Sequence, residues 1–155
     1  AHFYGLDASQ EMLSTAEYKI QRADLQDRIT LRYCMAEEVS ARDTFGLAEP
    51  FDVVFFSYSL SMIPSWKQAL QTGWDNLKTG GQMATVDFCD QKNMPYWFRK
   101  TLTAWLSWFH VRHEPELINF LSSLSSQNKS SLRINYLKGR YSFIVTLTKN
   151  FSCPL

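Results

Sequence analysis

The spacing of apolar residues along the chain changes several times, and each change marks an element. Phe3-Tyr4-Gly5-Leu6-Asp7 is a short apolar strand that closes on a lone carboxylate, and Met12, Leu13, Ala16 and Ile20 then recur at helical spacing through residues 9–20. Ile29, Leu31 and Tyr33 alternate with Thr30 and Arg32, as in a half-buried strand. The unbroken run at 51–56 predicts a central parallel strand covered on both faces. The stretch between these strands, ending at Pro50, reads as a loop. Trp66, Ala69, Leu70, Gly73 and Leu77 predict a crossover helix, stopped by Gly80, that leads to a strand at 83–88. Pro95 is placed to start a helix with Phe98, Leu102, Trp105, Leu106 and Phe109 on one face and Arg99, Lys100, Thr103, Ser107 and His110 on the other. Glu114-Pro115-Glu116 opens a further helix carrying Leu117, Phe120, Leu121 and Leu124. The pattern ends in a hairpin, 132–138 and 141–148, turning at Gly139.

At 155 residues, 45% apolar and 15% aromatic, the sequence has the makings of one domain with its own core. No internal repeat, linker or low-complexity tract interrupts it. No apolar run reaches the roughly 18–20 residues of a membrane span, and no signal-peptide pattern opens the sequence. Cys34, Cys89 and Cys153 are odd in number and lack metal-ligand spacing, which predicts reduced thiols and no zinc site. The net charge of +1 conceals an asymmetry: residues 1–90 hold 7 Lys or Arg against 13 Asp or Glu, and residues 91–155 hold 9 against 2. A basic half can face anionic lipid or phosphate, and it can equally pack on the acidic half.

Candidate chemistry sits where the predicted strands end. In open α/β sheets ligands bind at the carboxyl ends of the strands, and a carboxylate after an early strand commonly accepts the ribose hydroxyls of a nucleoside. Asp7 holds that position; as a purely structural alternative it caps the following helix, with Gln10 as its capping-box partner. Met12 is equally a core methionine of its helical stripe, and Glu37 with Glu38 equally a solvated helix start. Ser57-Tyr58-Ser59 follows the 51–56 strand, and there Ser57 can simply close the strand while Tyr58 packs.

The acid Asp7, the Leu77-Lys78-Thr79-Gly80-Gly81 segment before an apolar strand, and the terminal hairpin together resemble the class I S-adenosylmethionine-dependent methyltransferases. The resemblance implies an α/β, Rossmann-like sheet in the family order 3-2-1-4-5-7-6, read here from its second strand onward as a single domain over residues 1–155. The first strand and its Gly-rich loop would then lie upstream, and the sequence would be an N-terminally truncated fragment. It implies S-adenosyl-L-methionine as cofactor, with Asp7 and the adjoining Ala8 at the ribose, Met12 near adenine, and the Ala36 N–H and the Glu37 carboxylate at the adenine edge. Met35 stands where the family often has an acid. Ser57 would border the cofactor as well.

The sequence Ser57-Tyr58-Ser59-Leu60-Ser61-Met62-Ile63-Pro64, followed by Trp66, Met94-Pro95-Tyr96-Trp97-Phe98-Arg99, Trp105-Leu106 and Phe109-His110-Val111, looks like the methyltransferase component of betaine-lipid synthases. That likeness implies N-methylation of diacylglyceryl-homoserine at the cytoplasmic membrane surface, beside a fused or bound aminocarboxypropyl-transferase component and without nucleic acid. Tyr58, Ser57 and Ser59 would then hold the amine and His110 would accept its proton. The helix at 96–112, with Trp97, Trp105 and Trp108 beside Arg99, Lys100 and Arg112, would touch lipid, or else pack on the sheet. A phospholipid or small-molecule N-methyltransferase of the same fold, and a non-catalytic remnant serving as a partner module, are the open alternatives.

Overall fold

A computed structural model describes residues 1–89, 100–101, 116–137 and 140–150. The expected Pro95 helix, apart from the helical Lys100 and Thr101, lies outside these residues, as do the Gly139 turn, Cys153 and His110. The chain divides into two compact units, Ala1–Pro50 with Gln68–Asn76, and Phe51–Lys67 with Leu77–Leu155.

In the first unit, β1 (Phe3–Asp7) runs parallel to β2 (Ile29–Tyr33), with Phe3 opposite Ile29 and Asp7 opposite Tyr33. Helix α1 (Gln10–Arg22) joins them, and its one fully buried side chain is Leu13. Met12 is 57% exposed, so it is not the core methionine that its helical stripe allows. Tyr33 is 60% exposed, because the alternation of β2 gives way to solvent at the end of the strand. The stretch before Pro50 is not a bare loop. It holds a 3-10 turn, Ala36–Glu38, and a short helix α2 (Ala41–Phe45), whose N-cap Ser40 accepts from the Asp43 N–H.

Helix α3 spans Trp66–Asp75, and of the part in the first unit Ala69, Leu70 and Trp74 are buried. Asn76 follows it. Its side-chain amide donates to the carbonyls of Val39 and Thr72 at 3.0 Å each, and its Oδ1 accepts from the Ala41 N–H at 2.7 Å. Thr72 Oγ1 donates to the Glu37 carbonyl at 3.0 Å. Two polar residues at the end of one helix therefore fix the turn at 36–38 and the start of α2.

In the second unit β3 (Phe51–Ser57), β4 (Leu77–Phe88), β5 (Ser131–Leu137) and β6 (Ser142–Thr148) form a mixed sheet in the order β3-β4-β6-β5. β3 and β4 are parallel, and β4, β6 and β5 pair antiparallel, so the sheet closes on the expected hairpin. Met83, Thr85 and Asp87 of β4 alternate inward with Phe143, Val145 and Leu147 of β6. Leu117, Leu121 and Leu124 of helix α4 (Leu117–Gln127) are buried as well, and Phe120 meets Trp66 edge-on at 5.4 Å.

Two expectations change here. β3 is not covered on both faces: among the described residues it pairs with β4 alone, and Val53 and Phe55 on one face are 59% and 60% exposed. Gly80 does not stop the helix, which ends at Asp75; it lies inside β4 with φ 81°. The β3 register jumps from Phe51 opposite Leu77 to Val53 opposite Gln82, so the Lys78–Gly81 stretch bulges out of the ladder. The Gly80 N–H donates to the Lys149 carbonyl at 2.7 Å and the Lys149 N–H returns to the Gly81 carbonyl at 2.9 Å. A Cβ on Gly81 would stand 2.8 Å from the carbonyl oxygens of both Asp52 and Lys78. The glycines thus let two strands meet at a bulge, where the sequence alone reads a helix stop.

Candidate active site

In the first unit β1 and β2 end side by side, and their exit loops leave the same edge. The Cys34 N–H donates to the Asp7 carbonyl at 3.2 Å, which ties the two exits together. Asp7 Oδ1 accepts from the Ser9 N–H at 2.8 Å. Ser9, not Asp7, is the N-cap of α1, and its Oγ accepts from the Met12 N–H at 3.3 Å. The capping reading of Asp7 with Gln10 is thereby corrected: Gln10 is already the first helical residue, and Asp7 only shapes the turn ahead of the cap. Its Oδ2 accepts no hydrogen bond among the described residues. Nor does the half-buried Ala36 N–H make one there.

An ionised carboxylate with a spare oxygen is an acceptor for hydroxyl donors, and a main-chain N–H is a donor for a ring nitrogen. Asp7, Ala8, Ala36 and Glu37 therefore lie on adjoining exits of one two-stranded sheet, with Met12 exposed one turn into α1. This donor and acceptor set suits the ribose and adenine of S-adenosylmethionine. Thr72 and Asn76 hold the turn at 36–38. Sequence reading missed both, since a threonine and an asparagine at a helix end signal nothing until the partners they reach are known.

The second unit gathers Ser57, Tyr58 and Ser59 where β3 ends. Tyr58 has φ 50°, a left-handed conformation rare for a bulky residue, so the surrounding contacts must hold it there. The Tyr58 N–H donates to the Val86 carbonyl at 2.8 Å, which extends the β3–β4 ladder by one residue, and the ring lies on Phe88 at 4.8 Å between centroids. Phe88 meets Tyr141 edge-on at 5.7 Å. No hydrogen bond engages the half-buried Tyr58 hydroxyl among the described residues. The 3-10 turn Leu60–Met62 follows, pinned by the buried Leu60. The strand end therefore presents two serines and one tyrosine hydroxyl beside an aromatic face, a set that can orient a polar acceptor.

In the first unit two parallel strands end in an acid-bearing turn, and in the second a mixed sheet carries a hydroxyl-rich loop at the end of β3 and closes on an antiparallel hairpin; such strand ends are where α/β enzymes bind nucleoside cofactors. The chain belongs to the methyltransferase domain family, whose family model matches residues 1–139. It is similar to a demethylmenaquinone methyltransferase of Listeria welshimeri, 34% identical over 96 residues that make up 62% of this chain and 38% of that protein. The chain thus spans well under half the length of the curated relatives it matches. Among solved structures it resembles a SAM-dependent methyltransferase from Aquifex aeolicus (TM-score 0.62, 15% identity, 96% of this chain and 69% of that one). It also resembles the N-methyltransferase NodS from Bradyrhizobium japonicum in complex with S-adenosyl-L-homocysteine (TM-score 0.60, 14% identity, 96% and 66%). The fold is that of the S-adenosylmethionine-dependent methyltransferases. Among the described residues no helix is long and apolar enough to cross a membrane.

Proposed function

We propose that the protein is an S-adenosylmethionine-dependent N-methyltransferase of betaine-lipid biosynthesis that methylates the amine of diacylglyceryl-homoserine. The observation that carries this reading is the loop after β3, where a strained Tyr58, its ring on Phe88 and its hydroxyl without a hydrogen bond among the described residues, stands next to Ser57 and Ser59. The bound cofactor supplies a methyl group made electrophilic by its sulfonium. Asp7, Ala8, Met12, Ala36 and Glu37 hold its nucleoside end, and Ser57 borders the cofactor. Methyl transfer to nitrogen needs a neutral, aligned amine and no covalent catalyst, so most of the protein's work is orientation. Tyr58, Ser57 and Ser59 position the amine, the aromatic face offsets the positive charge that nitrogen acquires, and His110 takes the proton that each of the first two methylations releases. The segment 96–112 carries the enzyme to the lipid surface, and an aminocarboxypropyl-transferase component supplies the homoserine lipid.

A second reading has an observation of its own: the 34% identity to demethylmenaquinone methyltransferases, under which a demethylmenaquinone is the acceptor. One experiment separates the two. The purified protein is incubated with methyl-labelled S-adenosylmethionine and, separately, diacylglyceryl-homoserine, phosphatidylethanolamine and a demethylmenaquinone, each in mixed micelles. Label in a trimethylated homoserine lipid supports the proposal, and label only in the quinone or the phospholipid overturns it. A titration with S-adenosylhomocysteine that gives no saturable heat would leave only a non-catalytic partner module.

A further inference from the structure

We propose that Asp87 is a positioning residue that clamps the acceptor loop; the proposal rests on the reading of Tyr58 given above. Asp87 sits at the end of β4 with 2% exposure and is the one buried carboxylate among the described residues. A carboxylate in such a place is costly unless its oxygens are satisfied. Oδ2 accepts from the Ser61 N–H at 3.0 Å, and Oδ1 from the Phe88 N–H at 2.8 Å. The first bond reaches 26 residues back along the chain, into the 3-10 turn directly behind Ser59. The second fixes the main chain of Phe88, the residue whose ring supports Tyr58.

One carboxylate therefore holds both the loop that carries Tyr58 and the ring against which Tyr58 rests. Such a clamp is needed because the φ of 50° at Tyr58 relaxes unless the chain on both sides is fixed. A hydrophobic side chain at 87 would fill the core better. It would leave two main-chain N–H groups without acceptors at the point where the acceptor must be aligned.

The substitution Asp87→Asn tests this, because an amide keeps the shape but offers one acceptor oxygen where two are used. In the intact protein, amide hydrogen exchange is measured at Ser61 and Phe88, together with S-adenosylhomocysteine affinity and kcat and KM on diacylglyceryl-homoserine. Exchange at Ser61 or Phe88 should accelerate about tenfold or more, the factor for one lost hydrogen bond to a charged group, while Val145 and Leu147 in β6 keep their protection. S-adenosylhomocysteine affinity should stay within about twofold and kcat/KM for the lipid should fall about tenfold. Unchanged exchange at both amides overturns the proposal. So does acceleration spread evenly over β4 and β6, which would make Asp87 a residue of general stability, and so does intact lipid turnover in the variant. If the wild type methylates no lipid amine, the lipid reading falls, and the exchange data still decide whether Asp87 clamps the loop.

Discussion

At the scale of single residues, the strand ends of the two units differ in how their side chains are committed. Asp7 spends one oxygen on the Ser9 N–H, and the other accepts no hydrogen bond among the described residues. Asp7→Ala should weaken S-adenosylhomocysteine binding by about 1.5–3 kcal/mol, the range for hydrogen bonds to a charged group, with α1 unchanged because Ser9 is its cap. Calorimetric titration alongside circular dichroism checks both halves of that expectation; full affinity with normal folding would remove Asp7 from the cofactor site. Tyr58→Phe keeps the ring on Phe88 and deletes only the hydroxyl. Turnover should drop about 2- to 12-fold, the equivalent of one neutral hydrogen bond, with S-adenosylhomocysteine affinity intact. An equal loss of cofactor affinity would place Tyr58 on the cofactor side instead.

At the scale of elements, the bulge in β4 and the start of α4 are the points most open to test. Gly81→Ala puts a methyl group 2.8 Å from two main-chain oxygens, neither of them the end of a flexible side chain, so the strand itself has to move. Overpacking of this kind costs about 1–3 kcal/mol, measurable by urea denaturation. Glu116, the N-cap residue of α4, has its carboxyl pKa lowered, first by the hydrogen bond from Lys67 Nζ at 2.7 Å and then by that ammonium's charge. A carboxyl whose folded pKa is lowered contributes stability above its unfolded pKa, and the contribution is lost as pH falls through the lowered value. Lys67→Met should therefore raise the Glu116 titration midpoint seen by NMR and flatten the acid limb of the stability profile. Both side chains are largely exposed, so the effect is small and salt-sensitive.

At the scale of the whole molecule, the proposed function has the tryptophans and basic residues of 96–112 meet an anionic lipid surface. Replacing Trp97 and Trp108 by serine should reduce sedimentation with vesicles that contain anionic lipid. Activity should then fall more on vesicles than on a short-chain soluble analogue. Equal losses on the two substrates would assign these tryptophans to the core and end the membrane part of the proposal. The exposed Val53 and Phe55 on one face of β3 belong to the same scale, since exposed apolar side chains side by side invite association. Phe55→Lys should lower any concentration-dependent self-association seen by light scattering.

What the sequence determined by itself is what repeats locally. Short apolar runs place β1 and β3, alternation places β2 and the terminal hairpin, and helical spacing places α1, because each pattern is written over a few consecutive residues. The acid after β1 and the hydroxyl-rich stretch after β3 were legible for the same reason: they occupy strand ends that the pattern locates. Tertiary structure alone decided where long-range partners fall. That Ser9 caps α1 and frees Asp7, that Gly80 and Gly81 serve a bulge joined to Lys149, and that Thr72 and Asn76 hold the turn at 36–38 all depend on main-chain groups brought close by folding. The same holds for Asp87, which in sequence is only a polar interruption of an apolar strand. Its meaning comes from the Ser61 N–H, 26 residues away along the chain and 3.0 Å away in space, because a buried carboxylate is stable only where the fold delivers donors to it.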